Sequence, residues 1–426
     1  MANARELTLK ALYSVEVEGT YSNQALKTLL GQKDLPREDR GFVTELLLGV
    51  VRNKLFLDYV ISRFSSVRLK KLSPWIHGIL RLGVYQVVCM ERIPDSAACN
   101  EMVKLAGKYS RGASKGFVNG VLRTVSREKD RIPYPDDQTE AMSVRYSCPL
   151  WLTEKLLSQY GAETEEILAA TLKPYPVSLR VNTLKTDKEE LQKRLLEEGV
   201  RTYPHEKNDR CLYVDGGLNV EQSPAYRDGL YTLQNISSMT AVEWLAPLRG
   251  ERVLDLCAAP GGKTTYMGER MENTGKIVAC DIHPHKIPLL TAAAERLGLT
   301  IVETVCLDAT ELSAEWMESF DCVLADVPCS GIGVIHKKPD IKWNRNAEDV
   351  DALAEVQEKI LNNAATYVKA GGRLVYSTCT ILQEENGDQI AKFLKTHPEF
   401  VLEKEETLFI HKTGGSGFYI AKLIRK

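Results

Sequence analysis

Between residues 252 and 376 the chain repeats one pattern: a short apolar run, a turn of small or acidic residues, then a helical stretch. The runs are Arg252–Leu256, Lys276–Cys280, Ile301–Leu307, Asp321–Ala325 and Arg373–Tyr376. Runs of this length without a polar face suit strands buried on both sides, and their alternation with helices predicts a doubly wound α/β sheet. A closing strand is predicted over 417–425, after the glycine-rich turn at 414–417. In open sheets of this kind ligands bind beyond the carboxyl ends of the strands. The segments following the runs are therefore predicted to line one cleft: Asp255-Leu-Cys-Ala-Ala-Pro-Gly-Gly-Lys263, Asp281, Asp308, Asp326-Val-Pro-Cys-Ser-Gly331 and Ser377-Thr-Cys-Thr380.

The first of these segments resembles a phosphate-binding loop only in part. Gly262-Lys263-Thr264 supplies its last three positions, but the pattern then needs glycine at 257, where Cys257 stands. What remains is a tight strand-to-helix turn, Cys257, Ala258, Ala259, Pro260, Gly261, Gly262 and Lys263, whose backbone can approach a ligand closely. Twenty residues separate Gly261 from Asp281, the spacing at which an acidic side chain on the next strand end accepts hydrogen bonds from ribose. The turn, Asp281 and Asp308 on three successive strand ends predict an adenosine-containing cofactor. The competing reading is three ordinary strand-end turns.

Ten cysteines in 426 residues, none in a Cys-x-x-Cys pair, fit neither a disulfide scaffold nor a zinc ribbon. Cys280, Cys306 and Cys322 fall inside runs and read as inert packing. Cys329 and Cys379 fall in loops past strand ends, where a thiol of lowered pKa is a nucleophile. An adenosine cofactor with a thiolate suits methylation of a pyrimidine carbon. C5 of cytosine is a poor nucleophile until a thiolate adds at C6, after which C5 can attack a sulfonium methyl group; the thiolate also leaves well. The residues alone leave the two cysteines interchangeable, since both stand in loops just past strand ends.

Upstream, Phe42, Val43, Leu46, Leu47, Val50 and Val51 repeat at helical spacing, and Ser73-Pro74 reads as an N-cap followed by proline at the first helical position. A further helix is predicted over 114–125. The formal net charge of −2 divides unevenly, with +8 over residues 1–130 and −10 over the remainder. A basic helical surface at one end is thereby predicted. Residues 128–149 read as a linker, followed by helices at 151–160 and 163–171. A strand at 174–182 and a charged helix at 188–198 complete a small α/β unit to about residue 235. Charges at Arg5, Glu6 and Lys10 break any signal-peptide core, and no run approaches the ~18 apolar residues of a membrane span, which predicts a cytoplasmic protein. His283 and His285 lack further ligands at metal spacing, so no metal is predicted. His336, Lys337, Lys338, Lys342 and Trp343 read either as a solvated charge run or as an RNA-contacting rim.

Residues 326–343, Asp-Val-Pro-Cys-Ser-Gly-Ile-Gly-Val-Ile-His-Lys-Lys-Pro-Asp-Ile-Lys-Trp, and 376–381, Tyr-Ser-Thr-Cys-Thr-Ile, resemble the two signature motifs of the RNA cytosine-C5 methyltransferases of the NOL/NOP/Sun type. Leu254–Thr265 is similar to that family's S-adenosylmethionine loop, and Gln234-Asn-Ile-Ser-Ser238 to the segment preceding its core. The likeness covers about residues 145–426. Residues 1–130, with Asn119-Gly-Val-Leu-Arg123, are similar to the NusB fold. The resemblance implies an all-α NusB-like RNA-binding domain (1–130), a small α/β connector (145–235) and a Rossmann-like α/β methyltransferase domain (236–426). It further implies 16S ribosomal RNA as partner, Cys379 as the nucleophile on C6 and Cys329 assisting product release. By the same resemblance, residues 257–263 would hold the methionine part of S-adenosylmethionine, Asp281 the ribose and Asp308 the adenine side. Asp326 and Lys263 would lie by the target base and cofactor. Val327, Ile332 and Thr380 depart from the commoner Ala, Thr and Ser of the family without removing a reacting group. A transfer RNA methyltransferase and a non-catalytic antitermination factor are the alternatives.

Overall fold

The computed structural model describes residues 3–31, 35–206 and 208–426. Its packing divides the chain into two compact units, Met1–Lys173 with Ile335–Arg345, and Pro174–Val334 with Asn346–Lys426.

The first unit is helical. The stripe from Val43 to Val51 lies buried in the helix Arg37–Arg52. Ser73 caps the helix Pro74–Cys89 with its hydroxyl accepting from the Ile76 N–H (3.4 Å), so the proline occupies a position whose own N–H would have no partner. The predicted linker contains a short helix, Gln138–Arg145, capped by the Asp137 carboxylate accepting from the Glu140 N–H (2.8 Å). The helices Leu150–Tyr160 and Thr164–Leu172 belong to this unit as well. By packing, these helices group with the first unit, and the first sheet of the second unit follows after Lys173.

Residues 335–345 also join the helical unit. Trp343 Nε1 donates to the Val51 carbonyl (2.7 Å), Lys342 Nζ to the Arg52 carbonyl (2.8 Å), and Asp340 accepts from the N–H (3.1 Å) and hydroxyl (2.5 Å) of Ser22. Lys342 is 1% exposed. Burial pushes its ammonium down to about 8. The expectation of an RNA-contacting rim therefore fails at Lys342, which serves as a buried donor to a helix C-terminus; Lys337 and Lys338 are exposed.

The second unit carries two sheets. Strands β1 (Ser178–Val181), β2 (Arg201–Pro204), β3 (Cys211–Asp215) and β4 (Tyr231–Leu233) pair antiparallel in the order β2-β3-β1-β4. The helix Lys188–Glu197 packs Leu191 and Leu195 on Leu179, Val181, Leu212 and Val214. The larger sheet contains β5 (Arg252–Asp255), β6 (Lys276–Asp281), β7 (Val302–Cys306), β8 (Phe320–Asp326), β9 (Val368–Thr378), β10 (Phe400–Leu408) and β11 (Phe418–Arg425). Its order is β10-β11-β9-β8-β5-β6-β7, with β7 through β9 parallel and the last two strands antiparallel. All five predicted core strands are present. β10 was not predicted, since its middle, Glu403-Lys-Glu-Glu406, is exposed and highly charged, as edge strands often are. β7 forms the opposite edge, and Cys306 at its end is exposed rather than packed as expected.

The two sheets of this unit are joined through Arg180 of β1, which is completely buried. Its guanidinium meets the Glu269 carboxylate with two bonds (2.8 and 3.0 Å), donates to the Gly262 carbonyl (2.6 Å), Thr265 Oγ1 (3.0 Å) and Gln234 Oε1, and lies 4.9 Å above the Tyr266 ring. A buried arginine is tolerated when its donors all find acceptors. Removing one partner leaves the other charge buried alone, so Glu269→Ala should destabilise this unit by about 3–5 kcal/mol, read as a lowered urea midpoint; an unchanged midpoint would show that the pair does not hold the two sheets together.

Candidate active site

The pairing of the parallel strands continues past their carboxyl ends and draws the predicted segments into one row. The Leu307 N–H donates to the Asp281 carbonyl (3.2 Å), Ala258 to Cys280 (2.7 Å), Leu256 to Leu324 (3.0 Å) and Val327 to Ser377 (3.1 Å). Asp308, Asp281, the turn 257–263, the Pro-Cys-Ser-Gly turn and the Ser-Thr-Cys-Thr loop follow one another along this edge in sheet order.

In the turn after β5, Gly261 has φ +103°, and a Cβ there would stand 3.2 Å from Leu290 Cδ2. Both the left-handed backbone and the close helix behind it require glycine. The helix Gly262–Arg270 starts immediately, anchored by Thr265 Oγ1 donating to the Gly261 carbonyl (2.7 Å) and by Arg180. Asp281, 7% exposed, accepts the His283 N–H on Oδ1 (2.9 Å), and Lys286 Nζ lies 3.7 Å from the same oxygen. These contacts leave Oδ2 to accept from a ligand. Asp308 is turned partly to its own loop, accepting the Thr310 N–H (2.9 Å) and hydroxyl (2.7 Å) on Oδ1. A backbone turn with no room for a side chain, beside a carboxylate on the next strand end, suits an adenosine-containing group. Among the described residues no cluster of three His, Cys, Asp or Glu side chains suits a metal ion; the His283 and His285 rings lie 5.4 Å apart.

The reactive groups cluster where β8 and β9 end. Asp326 and Ser377 are register partners, and the Ser377 hydroxyl donates to Asp326 Oδ1 (2.7 Å). Lys263 Nζ meets Asp326 Oδ2 (2.6 Å) and lies 5.2 Å from the Phe418 ring centre. Beyond them Cys329 Sγ and Cys379 Sγ are 2.8 Å apart, and the Cys379 N–H donates to Cys329 Sγ (3.1 Å). Their hydrogen bond pulls the Cys379 thiol below its ordinary range against burial and the Asp326 carboxylate, whose effect Lys263 partly offsets. The same bond and burial push Cys329 up. Of the two sulfurs, Cys379 is thus the one on which negative charge is favoured. Gly333 closes the turn from behind: its N–H donates to the Cys379 carbonyl (3.0 Å) and its carbonyl accepts from Gly417 (2.8 Å). A Cβ at Gly333 would meet the Gly417 oxygen at 2.0 Å.

Sequence reading passed over several residues that hold this site. Gln357 lies on the buried stripe Val350, Gln357, Ile360, Leu361, Ala364 of the helix Ala347–Tyr367, where an aliphatic side chain is the default; a polar residue in that register is the signal that was available. Glu385 is fully buried and bonded to Ser330. Asp255 is 1% exposed and accepts the Thr264 hydroxyl on Oδ2 (2.7 Å), while Oδ1 has no partner. Burial, with Asp326 adding to it, raises Asp255 to about 7. A carboxyl whose folded pKa exceeds its unfolded value of ~3.9 binds a proton more tightly when folded, so stability falls as pH rises from about 4 to about 7, by up to about 4 kcal/mol. Urea denaturation of Asp255→Asn should lack this decline, and the variant should gain on the parent between pH 5 and pH 8; parallel pH profiles would show that Asp255 ionises normally.

Comparison with known proteins accords with this architecture. Residues 242–424 match the family described as 16S rRNA methyltransferase RsmB/F, residues 2–127 the NusB family, and residues 148–221 the ferredoxin-like domain of RsmF/B-like methyltransferases. The chain is 36% identical to the probable ribosomal RNA small subunit methyltransferase B of Bacillus subtilis strain 168, over 100% of this chain and 99% of that one. It is 34% identical to the ribosomal RNA small subunit methyltransferase B of Photorhabdus laumondii, with the same coverage. The crystal structure of PH0851 superposes with a TM-score of 0.82 at 28% identity, over 99% of each chain. With three matching segments in this order and full-length likeness to these relatives, the chain belongs to the ribosomal RNA small subunit methyltransferase B family of S-adenosylmethionine-dependent enzymes.

Proposed function

We propose that this protein methylates C5 of a cytosine in 16S ribosomal RNA through a covalent adduct between Cys379 and C6, with Cys329 assisting release of the methylated product. The observation that carries the reading is the pair of thiols 2.8 Å apart beside the Lys263–Asp326 ion pair, at the ends of adjacent parallel strands. S-adenosylmethionine, when bound, supplies an electrophilic sulfonium methyl group. The turn 257–263 and Asp281 are its proposed holders, with Asp308 on the adenine side.

On this reading the Cys379 thiolate forms the S–C6 bond, and the electron pair displaced into the ring makes C5 nucleophilic. Negative charge develops on the pyrimidine as the bond forms. The Lys263 ammonium, fixed by Asp326, meets that charge from a site already oriented, which stabilises the transition state without reorganisation. Asp326 in turn is fixed by Ser377 on Oδ1 and by Lys263 on Oδ2, and a carboxylate oxygen has a second lone pair with which to accept from an amino group of the base. Methyl transfer to C5 would leave the sulfonium sulfur as a neutral thioether; a base then takes the C5 proton, the C–H electron pair re-forms the C5–C6 double bond, and the S–C6 bond breaks with Cys379 leaving as thiolate. Cys329 is within reach of that sulfur throughout. The base must stand out of any helical stack for its C6 to reach Cys379, and the basic helical unit is the proposed RNA-engaging surface.

Two thiols with separate roles have separable phenotypes. With a 16S ribosomal RNA transcript, Cys379→Ala should abolish turnover and adduct, whereas Cys329→Ala should accumulate a protein–RNA adduct on denaturing gels; the reverse result exchanges the roles. Mass-spectrometric mapping of 5-methylcytosine in the product tests the position of the methyl group. Asp281→Ala should weaken S-adenosylmethionine binding by about tenfold or more by calorimetry, the loss of charge-assisted hydrogen bonds to ribose, and unaltered affinity would remove Asp281 from the site.

A further inference from the structure

The turn that carries Cys329 is held on both flanks by one buried polar pair. Glu385 Oε1 accepts the Ser330 backbone N–H (2.7 Å) and Gln357 Nε2 (2.9 Å), and Oε2 accepts the Ser330 hydroxyl (2.5 Å). Gln357 Nε2 donates also to the Pro328 carbonyl (2.9 Å). The residues immediately before and after Cys329 are therefore fastened to the same two side chains, while Cys329 Sγ itself is engaged with Cys379. The fastening reaches the second cysteine too, since Ser330 Oγ lies 2.9 Å from Thr380 Oγ1, one residue beyond Cys379. Tyr376, at the end of β9, fixes the brace by donating its hydroxyl to the Glu385 carbonyl (2.7 Å).

Glu385 and Gln357 are both fully buried. The bonds to the Glu385 carboxylate come from neutral donors, a backbone amide, a hydroxyl and a side-chain amide. An ion kept out of water with neutral donors alone is costly to bury, and its use here is geometric: two acceptor oxygens at a fixed separation orient one backbone N–H and one hydroxyl at once. A thiol that must act on a neighbouring sulfur within a single turnover needs such placement, because misplacement by an ångström costs large factors in rate.

We infer that Glu385 is a positioning residue for Cys329: with Gln357 it sets where that thiol stands against Cys379, and so governs release of the methylated RNA rather than its capture. The inference rests on the two-thiol reading proposed above. It makes the acceptor geometry, not the charge, the working property. In Glu385→Gln the amide oxygen can take the place of Oε1, and the amide nitrogen can donate to Ser330 Oγ, whose proton then turns to Thr380. In Glu385→Ala every bond of the brace is lost.

The test uses the full-length protein, S-adenosylmethionine and a 16S ribosomal RNA transcript, with Cys329→Ala as reference. Glu385→Ala should lower steady-state turnover by about tenfold or more while the first-turnover rate of adduct formation changes by less than about twofold, so that adduct accumulates as in Cys329→Ala. Glu385→Gln should restore turnover to within about threefold of the parent. Gln357→Ala, which frees only the Pro328 flank, should accumulate adduct to a lesser degree, and it carries the test alone if Glu385→Ala does not fold. The inference is overturned if adduct formation and turnover fall together in these variants, or if neither accumulates adduct while Cys329→Ala does. Absence of adduct in Cys329→Ala would instead overturn the two-thiol reading, and the role of the brace with it.

Discussion

The register between β8 and β9 is the constraint on which the rest of the site depends. Asp326 and Ser377 stand opposite each other in a parallel pair, so the chain leaves both strands at the same level and the two cysteine loops begin side by side. On the other flank β8 pairs with β5, with Leu324 opposite Asp255, which brings the turn after β5 and its Lys263 onto Asp326. A slip of one residue in either pairing would turn Asp326 to the other face of the sheet and leave Lys263 without its partner. Burial on both faces prevents that slip: Leu254, Val323, Ala325 and Leu374 pack on one side, and Val253, Cys322, Leu324 and Val375 on the other. The chemistry of the edge is thus fixed by hydrophobic alternation in the strands, well away from any reacting atom.

This explains what the sequence could disclose. The strands β5, β6, β8 and β9 contain short apolar runs because both faces of the sheet are covered there, and a buried parallel strand has no way to conceal that pattern. The residues after them were legible by the same token, since their position beyond a strand end follows from the strands. The opposite holds at the periphery. β10 reads as Glu403-Lys-Glu-Glu406 because its middle faces water, and Asp137 reads as a linker residue although it caps a helix. Cys306 was taken for packing because edge and central strands look alike in a five-residue window.

Long-range polar partnerships were less legible still. Arg180 and Glu269 are 89 residues apart, and nothing local marks either as the other's counter-ion. Lys342 and Trp343 looked like surface residues, yet they donate to the last carbonyls of the helix Arg37–Arg52, nearly 300 positions earlier. Moving Lys342 from the surface to the interior also sharpens the charge argument. The excess of basic residues in the first 130 positions remains, but the basic run near the cysteine turn contracts to Lys337 and Lys338, which are exposed.

The electrostatics of the paired thiols follow from their distance. At 2.8 Å the two sulfurs cannot both be ionised, because two like charges so close in a weakly polar site repel strongly. The hydrogen bond between them lowers Cys379 and raises Cys329, whereas Glu385 opposes charge on both sulfurs and Asp326 opposes the pull of Lys263 on Cys379. The asymmetry between the two thiols therefore comes first from the bond they share and not from either charged neighbour. In the proposed mechanism, bonding of Cys379 to carbon makes its sulfur neutral and removes the like charge that opposes ionisation of Cys329. The second thiol would then become easier to ionise only after the first has reacted, an order that the proposed mechanism inherits from the spacing of the two sulfurs.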